Sequence, residues 1–434
     1  MGLPTLPGDP AWWSLVLFVL PLLMGAPIGM ALGVASIAAC WLWDMGLPMI
    51  SYNFYANVAK FPLLAIPFFI MAGVIMERAG IARRIIDLVE ALVGEMPGGL
   101  AVATVLVATF WGAVSGSGPA TVAALGLILI PGMAQAGYDK AFAAATVSVS
   151  SGLAIIIPPS IAFIVYGVIT ETSIGALFAA GVLPGLVMAF CLAVAVFLVS
   201  RRRGYRGSKS YSLSEKWSAF RRAFWGLLAP AIILGGIYGG VFTPTEAAAV
   251  AVFYGLFVGF FVYRTLSLRD LHEILVSTTI STAVVMLVVA CAGLFSWVGS
   301  TVGLMDKAST FVLSISRDPV AIMLLVNVVL LLAGMVLDAV SIYYVFLPIF
   351  MPIMRYFGWD PVWFGVIMTI NLAIGQVTPP VAVNLYVGSN ISGVSIERIS
   401  VAALPLIAAS VVALLICILF PSISTVLPSR LGLM

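Results

Sequence analysis

Between Trp12 and Pro421 the chain passes through one uncharged apolar run after another, and this feature narrows its fold more than any other. About 20 helical residues cross a bilayer core of roughly 30 Å, and the runs have that length. With 62% hydrophobic and 9% charged residues, against about 25% charged in a soluble domain, the sequence specifies an all-α polytopic membrane protein. Ten to twelve helical segments are expected. The N-terminus, "MGLPTLPGDPAWW", carries no basic residue ahead of the first apolar run, unlike a cleaved secretory signal, so the first span is expected to be retained.

The same residues exclude several kinds of chemistry. Cys40, Cys191, Cys291 and Cys417 lie singly in apolar segments, which suits packing and neither a disulfide framework nor a zinc site. The one histidine, His272, falls in "SLRDLHEILV" at the polar end of a span and reads as solvated. There is no HExxH motif, no intramembrane histidine and no pair of intramembrane aspartates. An enzyme is therefore not expected, nor a transition metal, an organic cofactor or a nucleic-acid partner.

Charge sets the orientation. The segment Ser200 to Arg222, "SRRRGYRGSKSYSLSEKWSAFRR", holds eight Lys or Arg and one Glu, which places it in the cytoplasm. Arg78, Arg83 and Arg84 put "MERAGIARRIID" on the same side, and counting back two segments puts the N-terminus outside. The amphipathic piece Ile81 to Val93 reads either as an arm along the interface or as an ordinary cytoplasmic loop helix.

An internal repeat organises the rest. "PIGMALGVAS" at Pro27 matches "PTEAAAVAVF" at Pro244, and "MAGVIM" at Gly73 matches "CAGLFS" at Gly293. "LAIIIPPSIAFIVYG", with Pro158 and Pro159, matches "LAIGQVTPPVAVNLYVG", with Pro379 and Pro380; Tyr166 and Pro184 match Tyr386 and Pro405. Offsets of 217 to 221 residues in one order divide the chain into halves 1–200 and 224–425, joined by a basic linker 201–223 and followed by a tail 426–434. The region after Gly73 is rich in arginine, whereas "VGSTVGLMDKAS" after Gly293 has only Asp306 and Lys307 as charged residues. Equivalent loops then lie on opposite sides, and the repeats are inverted. Such pairs build secondary transporters, whose sites sit near the midplane at broken helices.

Each proline pair removes backbone donors inside an apolar run and turns the preceding residue away from helical geometry. Ile157 to Ser160 and Thr378 to Val381 are expected as unwound midpoints of two crossing helices, about 141–170 and 362–391. Freed carbonyls and the Ser160 and Thr378 hydroxyls suit a hard cation, and the half-helix N-termini suit an anion. A simple kink is the alternative, disfavoured because the pair recurs.

Some 40 residues upstream of each pair lies a second irregular point. Ser115, Gly116, Ser117, Gly118, Pro119 and Thr121 in "AVSGSGPATVAALG" read as the tip of a re-entrant hairpin, about 98–135, with arms short for a full crossing. The counterpart, about 320–354, contains "AGMVLDAVSIYYVFLP" with Asp338 and Ser341. An intramembrane carboxylate is costly and marks a site; Asp338 can also cap the second arm, and the two roles are compatible. Asn384 and Tyr386, one turn past the second pair, are candidates to face the site, with Asn390 at its exit. Glu246 and Glu171 belong to helix ends.

Taken in order over essentially the whole chain, "SGSGPATVAALG", "IPPS", "GVFTPTEAAAVA" and "TPPVAVNLYVGSNISG" resemble the large membrane subunit of tripartite ATP-independent periplasmic (TRAP) transporters, the DctM-like family. The resemblance implies the two-repeat fold of the ion-transporter superfamily, with a scaffold and a mobile transport domain carrying both hairpins. It implies sodium-coupled uptake of a small organic acid by an elevator motion in a bacterial inner membrane. Two partners are implied as well: a small four-helix membrane subunit (DctQ-like) and a periplasmic binding protein (DctP-like). One sodium region would involve Ser115 to Gly118, Thr121 and Ile157 to Ser160, and a second Asp338, Ser341 and Thr378 to Pro380. Ala339 stands where the family has proline after its acidic residue. A stand-alone symporter or exchanger of the same superfamily is the runner-up, and a passive channel is disfavoured because two inverted half-sites suit alternating access.

Overall fold

The computed structural model describes residues 8–434 apart from 206, 208 and 209, so the first residues of the chain and three positions of the basic segment lie outside it. In the first half, α1 (Pro10–Leu23), α2 (Ile28–Leu42), α3 (Pro48–Val58), α4 (Ala65–Arg78) and α5 (Ile81–Val93) lead to a hairpin of α6 (Gly99–Ser115) and α7 (Gly118–Gln135). A broken helix follows, α8 (Lys140–Ser150) and α9 (Ile161–Thr170), and then the long α10 (Ile174–Arg202). The second half repeats the order with α11 (Leu213–Tyr238), α12 (Pro244–Phe257), α13 (Leu268–Thr301) and α14 (Leu304–Ile315). Its hairpin is α15 (Pro319–Gly334) and α16 (Ala339–Phe357), its broken helix α17 (Pro361–Gly375) and α18 (Val383–Ser392), and it closes with α19 (Ile396–Leu419) and α20 (Ser422–Arg430).

Eight helical stretches among the described residues are long and apolar enough to cross a bilayer. The broken helices escape that number because each is split, and α1 and α2, with 14 and 15 residues, fall short of it. Taking each broken helix as one crossing and each hairpin as none leaves five crossings per half: α1, α2, α4, α8–α9 and α10 against α11, α12, α13, α17–α18 and α19. An odd number turns the second half upside down relative to the first. Packing exchanges in the same sense, with α4 on α12 and α2 on α13, and with α7 on α18 and α16 on α9.

Helix starts follow short polar caps. Asp9, Asp139, Asp318 and Asp360 each accept first-turn backbone N–H groups, and Thr243 with Glu246 forms a reciprocal capping box, which gives Glu246 its structural place. A second box, Ser212 with Glu215, starts α11 at Leu213, so the region read as a linker to residue 223 is helical over its last part. The tail is corrected too: α20 reaches Arg430 and packs on α10. Two hairpin arms are longer than expected, α7 with 18 residues and α16 with 19, because each helix starts directly at its tip. Helix α5 buries Ile81, Ile85, Ile86 and Leu88 against α6 and α11, so the amphipathic arm is fastened to the body of the protein.

The connection from α10 to α11 is tied to the root of the first hairpin. The Tyr205 carbonyl accepts from Gly98 N (3.2 Å), its hydroxyl accepts from Asp139 N (3.2 Å), and its ring centroid lies 4.4 Å from that of Tyr138. Glu95 Oε1 accepts from Tyr211 N and Ser210 Oγ at 3.0 Å each, with Lys216 Nζ at 3.4 Å. The Tyr211 amide, then Ser210 and Lys216, hold the Glu95 carboxyl below the usual glutamate range. A depressed folded-state pKa contributes stability above the unfolded value, lost as pH falls through the folded one. Glu95→Gln is therefore expected to melt below wild type near neutral pH, with the gap closing in acid below the ordinary glutamate pKa of about 4.3. Paired thermal melts across that range check this; a gap of constant size would remove the carboxylate's charge from the explanation.

Candidate functional site

Four irregular segments meet at the centre of the fold. The first hairpin turns through Gly116 at φ 63°, and a Cβ there would lie 3.0 Å from the Pro159 carbonyl oxygen, so glycine serves both the left-handed turn and the close approach. Ser115 is buried and its hydroxyl donates to the Ser117 carbonyl (3.3 Å). Ser117 occupies the N-cap position of α7 without a side-chain cap, which leaves first-turn N–H groups open at the tip. Gly118 is closed in by the other half: a Cβ there would lie 2.5 Å from Gln376 Oε1 and 2.9 Å from Asn384 Nδ2. Thr121, one turn on, is fully buried.

The first break is closed. Every residue from Ser151 to Ser160 is buried, including the cis Pro158–Pro159 pair. Ser160 Oγ accepts from Phe163 N (3.5 Å) and donates to the Ile155 carbonyl (2.5 Å), capping α9. Ser160 thus caps one N–H of α9, whose first residues, Ile161 and Ala162, line the cavity described below, whereas the N-cap residue of α7 makes no such bond.

The second break is open. Its cis pair, Pro379–Pro380, is exposed together with Val381. Thr378 Oγ1 donates to the Ile374 carbonyl (2.7 Å), and Val381 N donates to the Met335 carbonyl at the second tip (3.1 Å). At that tip Asp338 Oδ1 accepts from Ser341 N (3.0 Å) and Oδ2 from Ser341 Oγ (2.6 Å), so Asp338 caps α16. Asn384 is fully buried, its N donating to the Gln376 carbonyl (3.0 Å) and its Nδ2 to the Ser148 carbonyl (3.4 Å), whereas Tyr386 and Asn390 are exposed.

Between the tips lies a cavity of about 340 Å³, within the range of small-ligand sites, roughly 300–1,000 Å³. It is lined by Gly116 to Pro119 of the first tip, Asp338 to Val340 of the second, Ile155 and Gln376 at the breaks, Ile161 and Ala162 at the start of α9, and valines of α13. Among these lining residues Asp338 alone is ionisable. Gly116, Ser117, Gly118 and Asp338 are therefore brought together on one space; Ser115, Ser160, Ser341 and Thr378 bond within the tips and breaks around it. Larger clefts beside Glu171 (about 660 Å³) and Trp217 (about 820 Å³) meet neither tip.

Several members were not singled out from sequence. Gln376 reaches both the cavity and the first tip. Gly112 on α6 packs on Ala154, with a would-be Cβ 2.9 Å from its Cα, and Gly375 packs on Gly334 of α15, at 2.7 Å. These contacts are equivalent under the repeat, Gly112 to Gly334 being 222 residues and Ala154 to Gly375 221. In each half the first hairpin arm thus touches the segment entering the break at backbone distance. Asn371 Nδ2 adds bonds to the Asn327 carbonyl and Oδ1, both 2.9 Å, tying α15 to α17. A glycine beside each tip at the repeat offset was the available signal.

No group of three or more His, Cys, Asp or Glu converges among the described residues. The polar atoms around the tips are hydroxyls, carbonyls, amides and one carboxylate, a hard-oxygen set that fits an alkali cation.

Two inverted halves whose broken helices and hairpin tips enclose one small cavity among apolar, membrane-length helices define the permease core of a membrane transporter. The family described as tripartite ATP-independent periplasmic transporter, DctM component, matches residues 15–423. The chain belongs to that family. It is 42% identical over 384 residues to the C4-dicarboxylate TRAP transporter large permease protein DctM of Pseudomonas aeruginosa, covering 88% of this chain and 90% of that one. It is 41% identical over 408 residues to the isethionate TRAP transporter permease protein DctMQ of Oleidesulfovibrio alaskensis, covering 94% of this chain and 64% of that protein, so it spans a little under two thirds of that relative's length. The crystal structure of the Alcanivorax borkumensis YdaH transporter, at 15% identity, has a TM-score of 0.61 and covers 96% of this chain and 98% of that one; the likeness is one of fold.

Proposed function

We propose that this permease imports a small organic acid across a bacterial inner membrane, coupled to sodium, by an elevator motion of the hairpins and broken helices. In this reading a periplasmic binding protein delivers the solute and a small four-helix membrane subunit accompanies the chain, which has its N-terminus outside. The observation that carries the reading is the meeting of both tips on one cavity of about 340 Å³ whose open helix start, α7, faces it. Isethionate and C4-dicarboxylates, for which the two relatives are named, are small organic anions. Sodium would be held by oxygens of the first tip with the first break, and by Asp338, Ser341 and Thr378 at the second. Bound there, it supplies positive charge beside the anion. The chain's own part is to keep those oxygens at fixed positions, to exclude water from the first break by complete burial, and to present α7 amides to the solute.

The test needs no solute. The purified chain, with its small subunit if stability requires it, is melted in sodium, potassium and choline chloride at equal ionic strength. A ligand that binds the folded state alone stabilises by about 2.7 kcal/mol at a hundredfold excess over Kd. A sodium-specific rise in Tm, reduced in Asp338→Ala and Thr378→Ala, is expected. Identical sodium and potassium curves would remove sodium coupling.

A further inference from the structure

Four buried oxygen atoms where the halves cross have no hydrogen-bond partner among the described residues: Thr121 Oγ1, Ser148 Oγ, Gln376 Oε1 and Asn384 Oδ1. Thr121, Ser148 and Asn384 are each 0% exposed. Hydroxyls buried in helices ordinarily donate to a carbonyl one turn back, as those of Thr104 (2.9 Å), Thr146 (2.8 Å) and Ser151 (2.7 Å) do here, but Thr121 and Ser148 do not.

The four lie on elements that meet. Helices α7, α8 and α18 pack on one another. Gln376 Oε1 and Asn384 Oδ1 lie 2.5 and 3.0 Å from where a Cβ of Gly118 would stand, one turn before Thr121. Asn384 Nδ2 reaches the Ser148 carbonyl at 3.4 Å, and Gly388 leaves the room that the Ser148 hydroxyl occupies against α18. Absent side chains at positions 118 and 388 thus admit Gln376 Oε1 and Asn384 Oδ1 to the start of α7, and the Ser148 hydroxyl to α18.

We propose that Thr121, Ser148, Gln376 and Asn384 form a monovalent-cation site bridging the two halves, one that draws Thr121 from beside the first tip and Gln376 from the second break. All four donors are neutral hard oxygens, the ligand type of alkali cations. Without a carboxylate in the set, the charge of a divalent ion would be buried uncompensated, which excludes calcium or magnesium. That the ion is sodium rests on the coupling proposed above; the position rests on the unpartnered oxygens. An ion here would fasten the first tip to the second break, so that each half's site senses the other.

Equilibrium dialysis of the full chain against radioactive sodium counts bound ions, and a sodium titration of Tm gives the midpoint. Asn384→Leu and Gln376→Leu are expected to bind one ion fewer and to shift the remaining stabilisation to sodium concentrations about tenfold higher or more. Asn384→Asp, which keeps the oxygen and adds charge, is expected to keep the ion at a lower midpoint. Should the leucine variants fail to fold, Ser148→Ala makes the same comparison. An unchanged count and midpoint in these variants, with sodium binding still lost in Asp338→Ala, would overturn the bridging site alone and assign the gap to ordered water. A wild type that binds no sodium would overturn the coupling as well.

Discussion

Gly375→Ala is expected to collapse the yield of folded, monodisperse protein. In most helices alanine for glycine gains about 0.4–1 kcal/mol, but a Cβ at position 375 would lie 2.7, 2.8 and 2.9 Å from the Cα, C and O atoms of Gly334. Those are backbone atoms at the end of α15, with no flexible side chain to yield, and overpacking of this kind costs about 1–3 kcal/mol or more. The sign is therefore reversed. Gly132→Ala provides the contrast, because no atom lies within 4 Å of its would-be Cβ, and it should gain up to about 1 kcal/mol. Size-exclusion profiles and melts of both variants decide the matter; equal behaviour would mean that the first arm of the second hairpin does not rest on the broken helix.

A second large effect is expected at Asn371, where removing one partner should cost more than removing both. Asn371→Leu leaves Asn327 Oδ1 buried without its donor, and the Asn327 carbonyl loses a second bond. An unsatisfied buried acceptor costs about 1–3 kcal/mol, whereas replacing both partners with apolar groups is close to neutral. Asn371→Leu combined with Asn327→Leu should then melt above the single variant. Melts of the two single variants and the double variant check it, and equal losses in the single Asn371→Leu and the double would dissolve the argument.

The parts of the site visible in the sequence are those that offend a local rule. Pro158–Pro159 and Pro379–Pro380 break a helix, the Ser115 to Gly118 run cannot continue one, and Asp338 is a carboxylate in an apolar setting. Each offends alone, and the repeat offset turned the offences into a pattern. Gly334, Gly375, Asn327 and Asn371 offend nothing locally, since a glycine or an asparagine is tolerated in a buried helix. Their meaning lies in what they face some 40 residues away. Gln376 was hidden for another reason: it stands beside the prolines, whose signal is stronger, and its contact with Gly118 crosses from one half to the other. The difference between the breaks was equally out of reach. Ser160 caps α9, while Ala382, at φ 49°, starts α18 without a side-chain cap, though each follows a cis proline pair.

The tie at Tyr205 makes the connection between the halves a leash of known length. Ser212, the N-cap of α11, is only seven residues on from Tyr205, which is held at Gly98 and Asp139. Fully drawn out at about 3.3–3.6 Å per residue, they reach roughly 25 Å, and the Glu95 bonds to Ser210 and Tyr211 shorten the slack. A bilayer core is about 30 Å thick. While Tyr205 holds, the root of the first hairpin stays within that reach of the start of α11, a distance shorter than such a core is thick.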